Sequence, residues 1–465
     1  DNKTPVVAWG AGTSLEGNST PIRGGVSLDL SQMDKILRVS GEDLDCTIQP
    51  GVRRKQLNEY LSKHGLFFPV DPGADATLGG MASTGASGTT TVKYGAMKQL
   101  VMGMTVVTAN GDVIKTSRRA RKTSAGYDLT HLFVGSEGTL GVITELTLRV
   151  FGIPEVIAAA TIQFDSVRNA VDGVIETIQL GIDVARIELV DRDAVVAVNR
   201  YSGTTLPNKD LLLLEFHGSA DSTAIDIAAA REVLERHGGQ GFLQTTDEAE
   251  RRKLWQARHD AGLACRSHQP NGHIFATDVC VPISKLSECI EQTQQDLIAS
   301  KIYGPIVGHV GDGNFHVLLT ADPNDHAAIE KLEDFHTRLV ERSLSLEGTC
   351  TGEHGIGVGK IKYLVSELGR EAVDVMDMLW QESPFSTLYS HQETGNGFTY
   401  ARDLKVATWC HANKVVWTEF AQFGVVRRLK NRNLWRTKWE KHMASPIQEL
   451  YNLTFWRQAS TAPFV

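Results

Sequence analysis

Two histidines flank an Asp-Gly dipeptide in the largely apolar segment between residues 306 and 319. The dipeptide, Asp312-Gly313, separates two runs of β-branched and apolar residues, which is the strongest short-range signal for a β-hairpin. If these two residues form the turn, His309 lies directly opposite His316, with Cβ atoms about 4.5–5.5 Å apart on one face. Two imidazoles in this arrangement could bind one metal ion.

A glutamate and a third histidine occur in the glycine-rich segment Cys350–Lys360. Alternating glycines make a regular strand unfavourable there, so Glu353 and His354 need not point in opposite directions and could both reach one site. Two histidines and one carboxylate with open positions form a recognised catalytic arrangement for zinc, iron or manganese. A single histidine is more often structural, but three histidines and a glutamate in glycine-rich segments favour a metal site.

An arginine close to a tryptophan lies in the helical pattern Leu254–Asp260. Arg258 has two interpretations, a solvated charge on a helix surface or a partner for a substrate carboxylate. The pattern by itself favours the solvated charge. A planar guanidinium is nevertheless suited to a carboxylate, which it can bind through two parallel hydrogen bonds.

Three glycine-rich segments, each next to a predicted strand, could bind a ligand through backbone amides. They are Gly10–Gly17, Leu78–Gly88 and Gly135–Ile143. The first does not match a Rossmann fingerprint, because Leu15 occupies the third glycine position, or a P-loop, because Asn18 replaces the lysine. Glycines still allow successive N–H groups to converge on an anion. Three such loops in one region favour one extended ligand over three unrelated tight turns.

Strands and helices alternate along most of the chain, which predicts an α+β fold. Residues 1 to about 150 combine short strands and glycine clusters with a predicted helix, Arg53–His64. Residues 151 to 380 contain longer amphipathic helices, such as Val167–Leu180, and strands such as Leu211–Phe216. Pro154 marks the boundary, so we predict domains at 1–152 and 153–378 and a divergent segment at 379–465, the second domain having an antiparallel sheet.

The composition excludes several classes of protein. The 47 Lys and Arg against 55 Asp and Glu give a net charge of −8, which excludes a polybasic nucleic-acid binder, and 42% hydrophobic residues provide material for a core. Six cysteines without a C-x-x-C pair fit a reducing compartment. We find no membrane-spanning run and no targeting peptide. Because Pro5–Trp9 is already typical of a buried strand, we expect the chain to begin inside a fold.

The last 85 residues differ in kind from the rest. Residues 380–465 contain six of the eight tryptophans, and 381–465 contain 11 Lys and Arg against 6 Asp and Glu. This tail is either an added interaction module or translated sequence from a shifted frame or retained intron. The lack of a regular apolar period favours the second interpretation, and we predict that the tail packs poorly.

Seven motifs between residue 5 and about 376 resemble the FAD-linked D-lactate dehydrogenases of the mitochondrial, cytochrome-c-linked type, within the vanillyl-alcohol oxidase superfamily. The motifs are Gly10–Gly17, Phe68–Ala74, Gly85–Gly88, Gly135–Gly141, Thr277–Pro282, Gly308–His316 and Thr351–Gly357. The resemblance implies a PCMH-type FAD-binding domain followed by a substrate domain over the flavin ring. It also implies a mitochondrial enzyme that oxidises D-lactate to pyruvate and passes electrons to cytochrome c or another acceptor.

The resemblance further assigns residues to FAD, held without a covalent bond, and to a divalent metal. His309, His316 and Glu353 would be metal ligands, His354 the base and Arg258 the anchor of the substrate carboxylate. The metal, zinc, manganese or iron, would lower the pKa of the 2-hydroxyl group. The expected FAD contacts are Gly10, Ala11, Gly12, Thr13, Ser14, Leu15, Gly17, Pro72, Gly73, Gly80, Met81, Thr84, Gly85, Ser87, Gly88, Glu137, Gly138, Gly141, Val142 and Ile143.

Other readings of the same residues stay open at this point. The same chemistry could act on D-2-hydroxyglutarate or glycolate. The chain could instead be an inactive product, because nothing after about Met376 matches the family segment that returns to the flavin. A zinc hydrolase with the same ligands is conceivable, but it leaves the three glycine loops unexplained.

Overall fold

The computed structural model describes residues 4–267, 269, 271–370, 387–391, 406–408 and 410–420. The contacts divide the chain into two units. The larger unit, residues 6–20 and 27–375, contains both large sheets and all of the candidate site residues. The smaller unit comprises residues 1–5, 21–26 and 376–465. Most of the predicted tail, residues 379–465, lies outside the described residues.

The first 152 residues form a sheet with short helices. The strands are β1 (Val6–Trp9), β2 (Val26–Asp29), β3 (Ile36–Ser40), β4 (Asp45–Ile48), β5 (Leu66–Phe67), β6 (Val101–Thr108), β7 (Val113–Lys115), β8 (Gly141–Arg149) and β9 (Phe151–Gly152). The helices are α1 (Arg54–Ser62), α2 (Leu78–Thr84), α3 (Thr91–Tyr94), α4 (Met97–Leu100) and α5 (Leu129–Phe133). Five strands pair antiparallel in the order β3-β4-β8-β6-β7, and β1–β2 and β5–β9 form separate pairs.

One hydrophobic core holds this region together. Leu57 and Leu61 lie four residues apart on one face of α1 and are fully buried, as the predicted helix requires. They belong to the same cluster as Ile48 and Leu146 of the sheet and Met81 of α2. The predicted strand at residues 5–9 exists, but the expectation that it is buried is wrong. Among the strands that the structure describes, it pairs with β2 alone, and the residues of β2 are all exposed.

The second region contains eight strands and eight helices among the described residues up to 370. The strands are β10 (Val156–Phe164), β11 (Arg186–Val190), β12 (Asp210–Gly218), β13 (Gln240–Thr245), β14 (His273–Ala276), β15 (Val279–Cys280), β16 (Ile306–Gly308) and β17 (Asn314–Ala321). The helices are α6 (Val167–Gln179), α7 (Arg192–Ser202), α8 (Ala220–Arg236), α9 (Glu248–His259), α10 (Ala261–Arg266), α11 (Leu286–Ser300), α12 (His326–Ser345) and α13 (Leu364–Leu368). Short 3-10 helices cover Ile283–Lys285, Val310–Asp312 and Ile361–Tyr363.

The eight strands form one antiparallel sheet in the order β13-β10-β12-β11-β16-β17-β14, with β15 also paired to β17. Both faces of its central strand are covered. Leu212 and Leu214 of β12 belong to a core with α6 and α12, whereas Leu211 and Leu213 belong to a separate core with α7 and α10. Burial on both faces explains the continuous apolar run of this strand, because alternate side chains enter different cores.

The local predictions in this region are largely confirmed. The predicted helix Val167–Leu180 is α6, and the predicted strand Leu211–Phe216 lies inside β12. The antiparallel α+β fold is also confirmed. Within the described residues, no helix has the length and apolar character needed to cross a membrane. Beyond residue 376, β18 (Thr387–His391) pairs in parallel with β19 (Val416–Phe420).

Candidate active site

One cavity of about 450 Å³ connects the glycine-rich segments with the histidine cluster. Its wall includes parts of all three glycine segments together with His309, His316, Glu353 and His354. Ser87 of the second glycine segment donates a hydrogen bond to Glu353 at 3.0 Å, so the glycine segments reach the histidine cluster. All of the residues expected to contact FAD line this cavity except Gly17, Gly85 and Val142. A ligand bound along the glycine segments would therefore lie next to the histidine cluster.

The first glycine segment brings bare backbone to the cavity wall. A Cβ atom at Gly10 would overlap the Thr77 hydroxyl, and one at Gly12 would overlap the Trp9 ring. Gly12 also has a φ of +65°, in the left-handed region that glycine adopts at low cost. Side chains are thus excluded here for steric reasons, and the exposed backbone groups fit a long ligand with a diphosphate, as FAD has.

The second glycine segment is only partly a loop, which corrects the expectation from sequence. Residues 78–84 form the helix α2, and Gly85 ends it in the left-handed conformation. Gly79 allows α2 to pack directly on Pro50, because a Cβ atom would overlap the proline ring. Small residues therefore serve helix packing here as well as access to the cavity.

Glu137 was expected to contact FAD, but its carboxylate is engaged elsewhere. It accepts hydrogen bonds from Asn18 Nδ2 at 2.8 Å and from the backbone N–H groups of Ile356 and Gly357 at 2.6 and 2.9 Å. The side chain therefore joins the first glycine segment to the segment that follows Glu353. Glu137 still lines the cavity, so a contact with FAD stays a prediction.

The histidine hairpin is present, but the predicted two-residue turn is wrong. His316 is paired with Val307 rather than His309, and the turn contains the 3-10 helix Val310–Asp312. The observed register differs from the predicted one by two residues. Because side chains along a strand alternate between the two faces, a shift of two residues leaves each side chain on the face that was predicted for it. The rings of His309 and His316 lie 5.5 Å apart, nearly perpendicular to each other.

Three potential ligand atoms converge at the cavity wall. Glu353 Oε1 lies 3.3 Å from His309 Nε2 and 3.2 Å from His316 Nε2. The other carboxylate oxygen of Glu353 accepts a hydrogen bond from the Ser87 hydroxyl at 3.0 Å. The segment carrying Glu353 is neither helix nor strand, as its glycines predict.

The hydrogen bonds of the two imidazoles determine what their Nε2 atoms can do. His309 Nδ1 donates to Glu188 at 2.6 Å, and His316 Nδ1 donates to the Thr277 carbonyl at 2.7 Å. In the neutral rings, both Nε2 atoms therefore carry a lone pair that faces the Glu353 carboxylate, and the carboxylate is also an acceptor. Only added protons or a cation can hold three such atoms together. The donor set of two histidines and one carboxylate fits zinc, manganese or iron.

Without a cation, added protons hold the two imidazoles and the Glu353 carboxylate together. Burial alone would lower the pKa of His309, but the carboxylates of Glu188 and Glu353 raise it well above its usual value. Burial would likewise raise the pKa of Glu353, but the charges of His309 and His316 hold it well below its usual value. A cation at the same position would replace these protons.

A second group, Asp278, His316 and His354, also has metal-ligating atoms close together. Asp278 is fully buried and already accepts hydrogen bonds from several groups. These donors are Asn314 Nδ2, the Thr351 hydroxyl, the backbone N–H groups of Glu353 and His354, and Lys360 Nζ. Because its lone pairs are occupied, Asp278 fixes the segment that carries Glu353 and His354 and is poorly suited to bind a metal.

His354 lies against His316 with the two rings stacked at 5.3 Å. Its Nδ1 faces two carboxylates, Glu16 at 3.6 Å and Asp278 at 3.9 Å, whereas Nε2 lies 4.0 Å from Glu353 Oε1. Burial lowers the pKa of His354, but Asp278, Glu16 and Glu353 together raise it. In the neutral ring the two carboxylates favour a proton on Nδ1, which leaves the Nε2 lone pair towards the convergent ligand atoms.

Arg258 reaches the cavity from the last turn of α9. It is not the solvated surface charge that its pattern alone favours, because Nε and Nη2 bond the buried Glu188 at 2.9 and 2.8 Å. Asp247 caps the start of α9, and Arg258 and His259 at its end complement the helix dipole.

Sequence reasoning missed four charged residues around this site: Glu16, Glu188, Asp278 and Lys360. Glu188 interrupts the apolar strand β11, and a charge in a buried strand is a signal for a buried partner. Glu16 and Asp278 lie inside recognised motifs, and Lys360 ends the glycine-rich segment Cys350–Lys360, but none of them was assigned a role. Their partners are remote in the chain, so residue type alone could not identify the contacts.

Comparisons with known proteins agree with this architecture. The family profile for the FAD binding domain matches residues 1–117, and that for the C-terminal domain of FAD linked oxidases matches residues 153–379. Crystallised p-cresol methylhydroxylase with substrate bound, at 16% identity, has a similar fold with a TM-score of 0.67, covering 82% of each chain. Fold and profiles together define an FAD-dependent oxidoreductase.

Two curated relatives make the family specific. The chain is 48% identical to the probable mitochondrial D-lactate dehydrogenase of Danio rerio, over 80% of this chain and 76% of the relative. It is 42% identical to the mitochondrial D-lactate dehydrogenase [cytochrome] of Arabidopsis thaliana, over 80% of this chain and 66% of the relative. The chain belongs to the family of FAD-linked D-lactate dehydrogenases.

Proposed function

We propose that the protein oxidises D-lactate to pyruvate in mitochondria, with FAD as hydride acceptor, a divalent metal at the histidine cluster and cytochrome c as electron acceptor. The names of the relatives support the substrate, the acceptor and the compartment. The observation that carries the metal is the convergence of three lone-pair atoms, from His309, His316 and Glu353, at the wall of the glycine-lined cavity.

The residues of the chain divide the chemical tasks among them. When bound, FAD accepts a hydride from C2, and a divalent cation lowers the pKa of the 2-hydroxyl group. His309, His316 and Glu353 would hold the cation. Arg258 would orient the substrate carboxylate, and His354 would accept the hydroxyl proton at Nε2.

A short apolar wall beside the cluster supports lactate over larger 2-hydroxy acids. Val307 is paired with His316, and Leu318 lies two residues further along the same face of β17. Ala276 is paired with Leu318, and all three line the cavity. These side chains suit a methyl group, whereas the second carboxylate of D-2-hydroxyglutarate would be buried there without a partner.

The test is the flavin absorption spectrum of the purified protein under anaerobic conditions. We expect a bound flavin that D-lactate bleaches and L-lactate does not. Treatment with a chelator should abolish bleaching, and added Zn²⁺ or Mn²⁺ should restore it. Bleaching that survives complete metal removal would refute the metal's role, and protein without flavin would favour an inactive product.

Substrate range and acceptor are tested with the same preparation. Initial rates with D-lactate, glycolate and D-2-hydroxyglutarate should rank D-lactate first, and cytochrome c should be reduced in step with pyruvate formation. A higher kcat/KM for glycolate or D-2-hydroxyglutarate would overturn the substrate assignment. Limited proteolysis would test the proposed domain boundaries near residues 152 and 378, where cleavage should leave two resistant fragments.

A further inference from the structure

We propose that Glu188 is a positioning residue that couples the metal site to the substrate anchor, an inference that rests on the proposed function. Glu188 lies on β11 with its side chain fully buried. One carboxylate oxygen accepts the Nδ1–H of His309 at 2.6 Å. The other accepts the Nε–H of Arg258 at 2.9 Å and forms an ion pair with its Nη2 at 2.8 Å.

The bond to His309 decides which of its nitrogens can bind a cation. A carboxylate can only accept, so it requires the proton of the neutral ring on Nδ1 and leaves Nε2 as a lone pair. Nε2 is the atom that faces Glu353. Carboxylates in this position beside metal-bound histidines fix ring orientation and raise ligand basicity, and their loss typically reduces metal affinity about 10–100-fold.

The bonds to Arg258 hold the other half of the site. Nε and Nη2 of the guanidinium both contact one oxygen of Glu188, which orients the plane of the group at the cavity wall. One rigid carboxylate therefore sets the positions of the predicted metal ligand and the predicted carboxylate anchor together. A 2-hydroxy acid presents its hydroxyl and carboxylate at a fixed spacing, so such coupling would serve its recognition.

The isosteric change Glu188→Gln separates this role from simple packing. Arg258 has donors only and already donates to one oxygen through Nε, so it will keep the amide oxygen on its side and turn the amide NH2 group towards His309. An NH2 group must donate to Nδ1, which transfers the ring proton to Nε2. The variant thus retains size and burial but places a hydrogen where the metal should bind.

Glu215→Gln provides a matched control. Glu215 is a buried glutamate on the adjacent strand β12, and it bonds His217 Nε2, Trp255 Nε1 and Arg186. It resembles Glu188 in burial and in having histidine and arginine partners, but it does not line the cavity. The conservative variant Glu188→Asp keeps an acceptor-only carboxylate and should recover part of the lost affinity.

The experiment measures Co²⁺ binding to the flavin-loaded, chelator-treated protein from the visible absorption of the bound ion, without substrate. We expect the Kd of Glu188→Gln to rise about 10–100-fold relative to wild type, that of Glu215→Gln to change less than about twofold, and Glu188→Asp to lie between. Flavin content and Tm, measured on every variant, report folding. If Glu188→Gln does not retain flavin, the Co²⁺ affinities of Glu188→Asp and wild type are compared instead, and equal affinities would overturn the inference.

Each outcome has a distinct meaning. Equal Co²⁺ affinity in wild type and Glu188→Gln would overturn the inference while leaving the proposed function intact. Equal weakening in Glu188→Gln and Glu215→Gln would also overturn it, since the cause would then be general destabilisation. A wild-type protein that does not bind Co²⁺ would refute the metal site itself, and the role of Glu188 with it.

Discussion

Replacing Lys360 with methionine tests whether a buried charge cluster holds the catalytic segment in place. Lys360 is fully buried, and its Nζ lies 3.1 Å from Asp278 Oδ2 and 3.2 Å from Glu16 Oε1. Asp278 holds the segment that carries Glu353 and His354, whereas Glu16 belongs to the first glycine segment. Lys360→Met keeps the length of the side chain and removes only the charge.

The expected loss follows from the two ion pairs. At about 3 Å and an effective dielectric constant of about 20, Coulomb's law gives about 5 kcal/mol for each pair. Burying the charges costs several kcal/mol per ion and offsets much of this attraction. Removing one partner leaves the two carboxylates uncompensated, so we expect Lys360→Met to lower the free energy of unfolding by about 3–5 kcal/mol.

The assay is urea unfolding of the flavin-loaded protein, with Lys362→Met as the control. Lys362 lies two residues away on the surface, so its loss should change stability by less than about 0.5 kcal/mol. In the double variant Glu16→Gln/Lys360→Met, one of the uncompensated carboxylates is also gone. We therefore expect the double variant to be more stable than the sum of the single changes predicts, by about 1–3 kcal/mol.

Two results would refute this reasoning. Additivity of Glu16→Gln and Lys360→Met within about 0.5 kcal/mol would mean that the two side chains do not interact. A stability of Lys360→Met equal to that of Lys362→Met would mean that the buried ammonium has no electrostatic role.

Three further predictions concern the base, the cofactor cleft and pH. His354→Gln should lower kcat about 10²–10⁴-fold with unchanged flavin content, and a smaller loss in stopped-flow reduction would exclude His354 as the base. Gly88→Ala should reduce bound flavin per protein, because a Cβ atom would lie 2.7 Å from the Asp71 backbone; full retention would contradict the packing. Burial raises the pKa of Asp296, but hydrogen bonds from two arginines lower it to about 2 overall. Because the pKa of Asp296 is lower in the folded state, its carboxylate stabilises the fold by about 1–2 kcal/mol above pH 4, and this stabilisation is lost as the pH falls towards 2. The free energy of unfolding of Asp296→Asn, measured by urea unfolding, should therefore equal that of wild type only in strong acid and be lower above pH 4.

Local structure was largely predictable from sequence in segments where the apolar residues repeat with a single helical or strand period. In α6, buried Val167, Ala170, Val171 and Val174 follow helical spacing, so pattern and structure coincide within a residue. The turn of the histidine hairpin was not predictable, because Asp312 belongs to the 3-10 helix Val310–Asp312 and Gly313 ends that helix in the left-handed conformation, a longer connection that the Asp-Gly signal does not reveal. The tail after residue 376 offers no such pattern, and its predicted poor packing concerns residues that mostly lie outside the described chain.

The sequence by itself determined the kinds of group at the site. It specified two histidines near one turn, a glutamate and histidine in a segment too rich in glycine for regular structure, and bare backbone along the cleft. These features depend on residue type and close neighbours. They were sufficient to predict the fold class, the family and the candidate metal ligands.

Only the tertiary structure decided which charges these groups meet. Glu188 and His309 are 121 residues apart, and they touch because β11 and β16 are neighbours in the sheet. Glu16 and Lys360 likewise belong to distant segments that the fold brings together. The order of the strands depends on how two cores pack over the whole sheet. The hydrogen-bond partner of each buried side chain then depends on that order and on the register of the strands, in which a shift of one residue changes the partner. A pattern read along the chain therefore predicts candidate ligands, but not the partners that orient them.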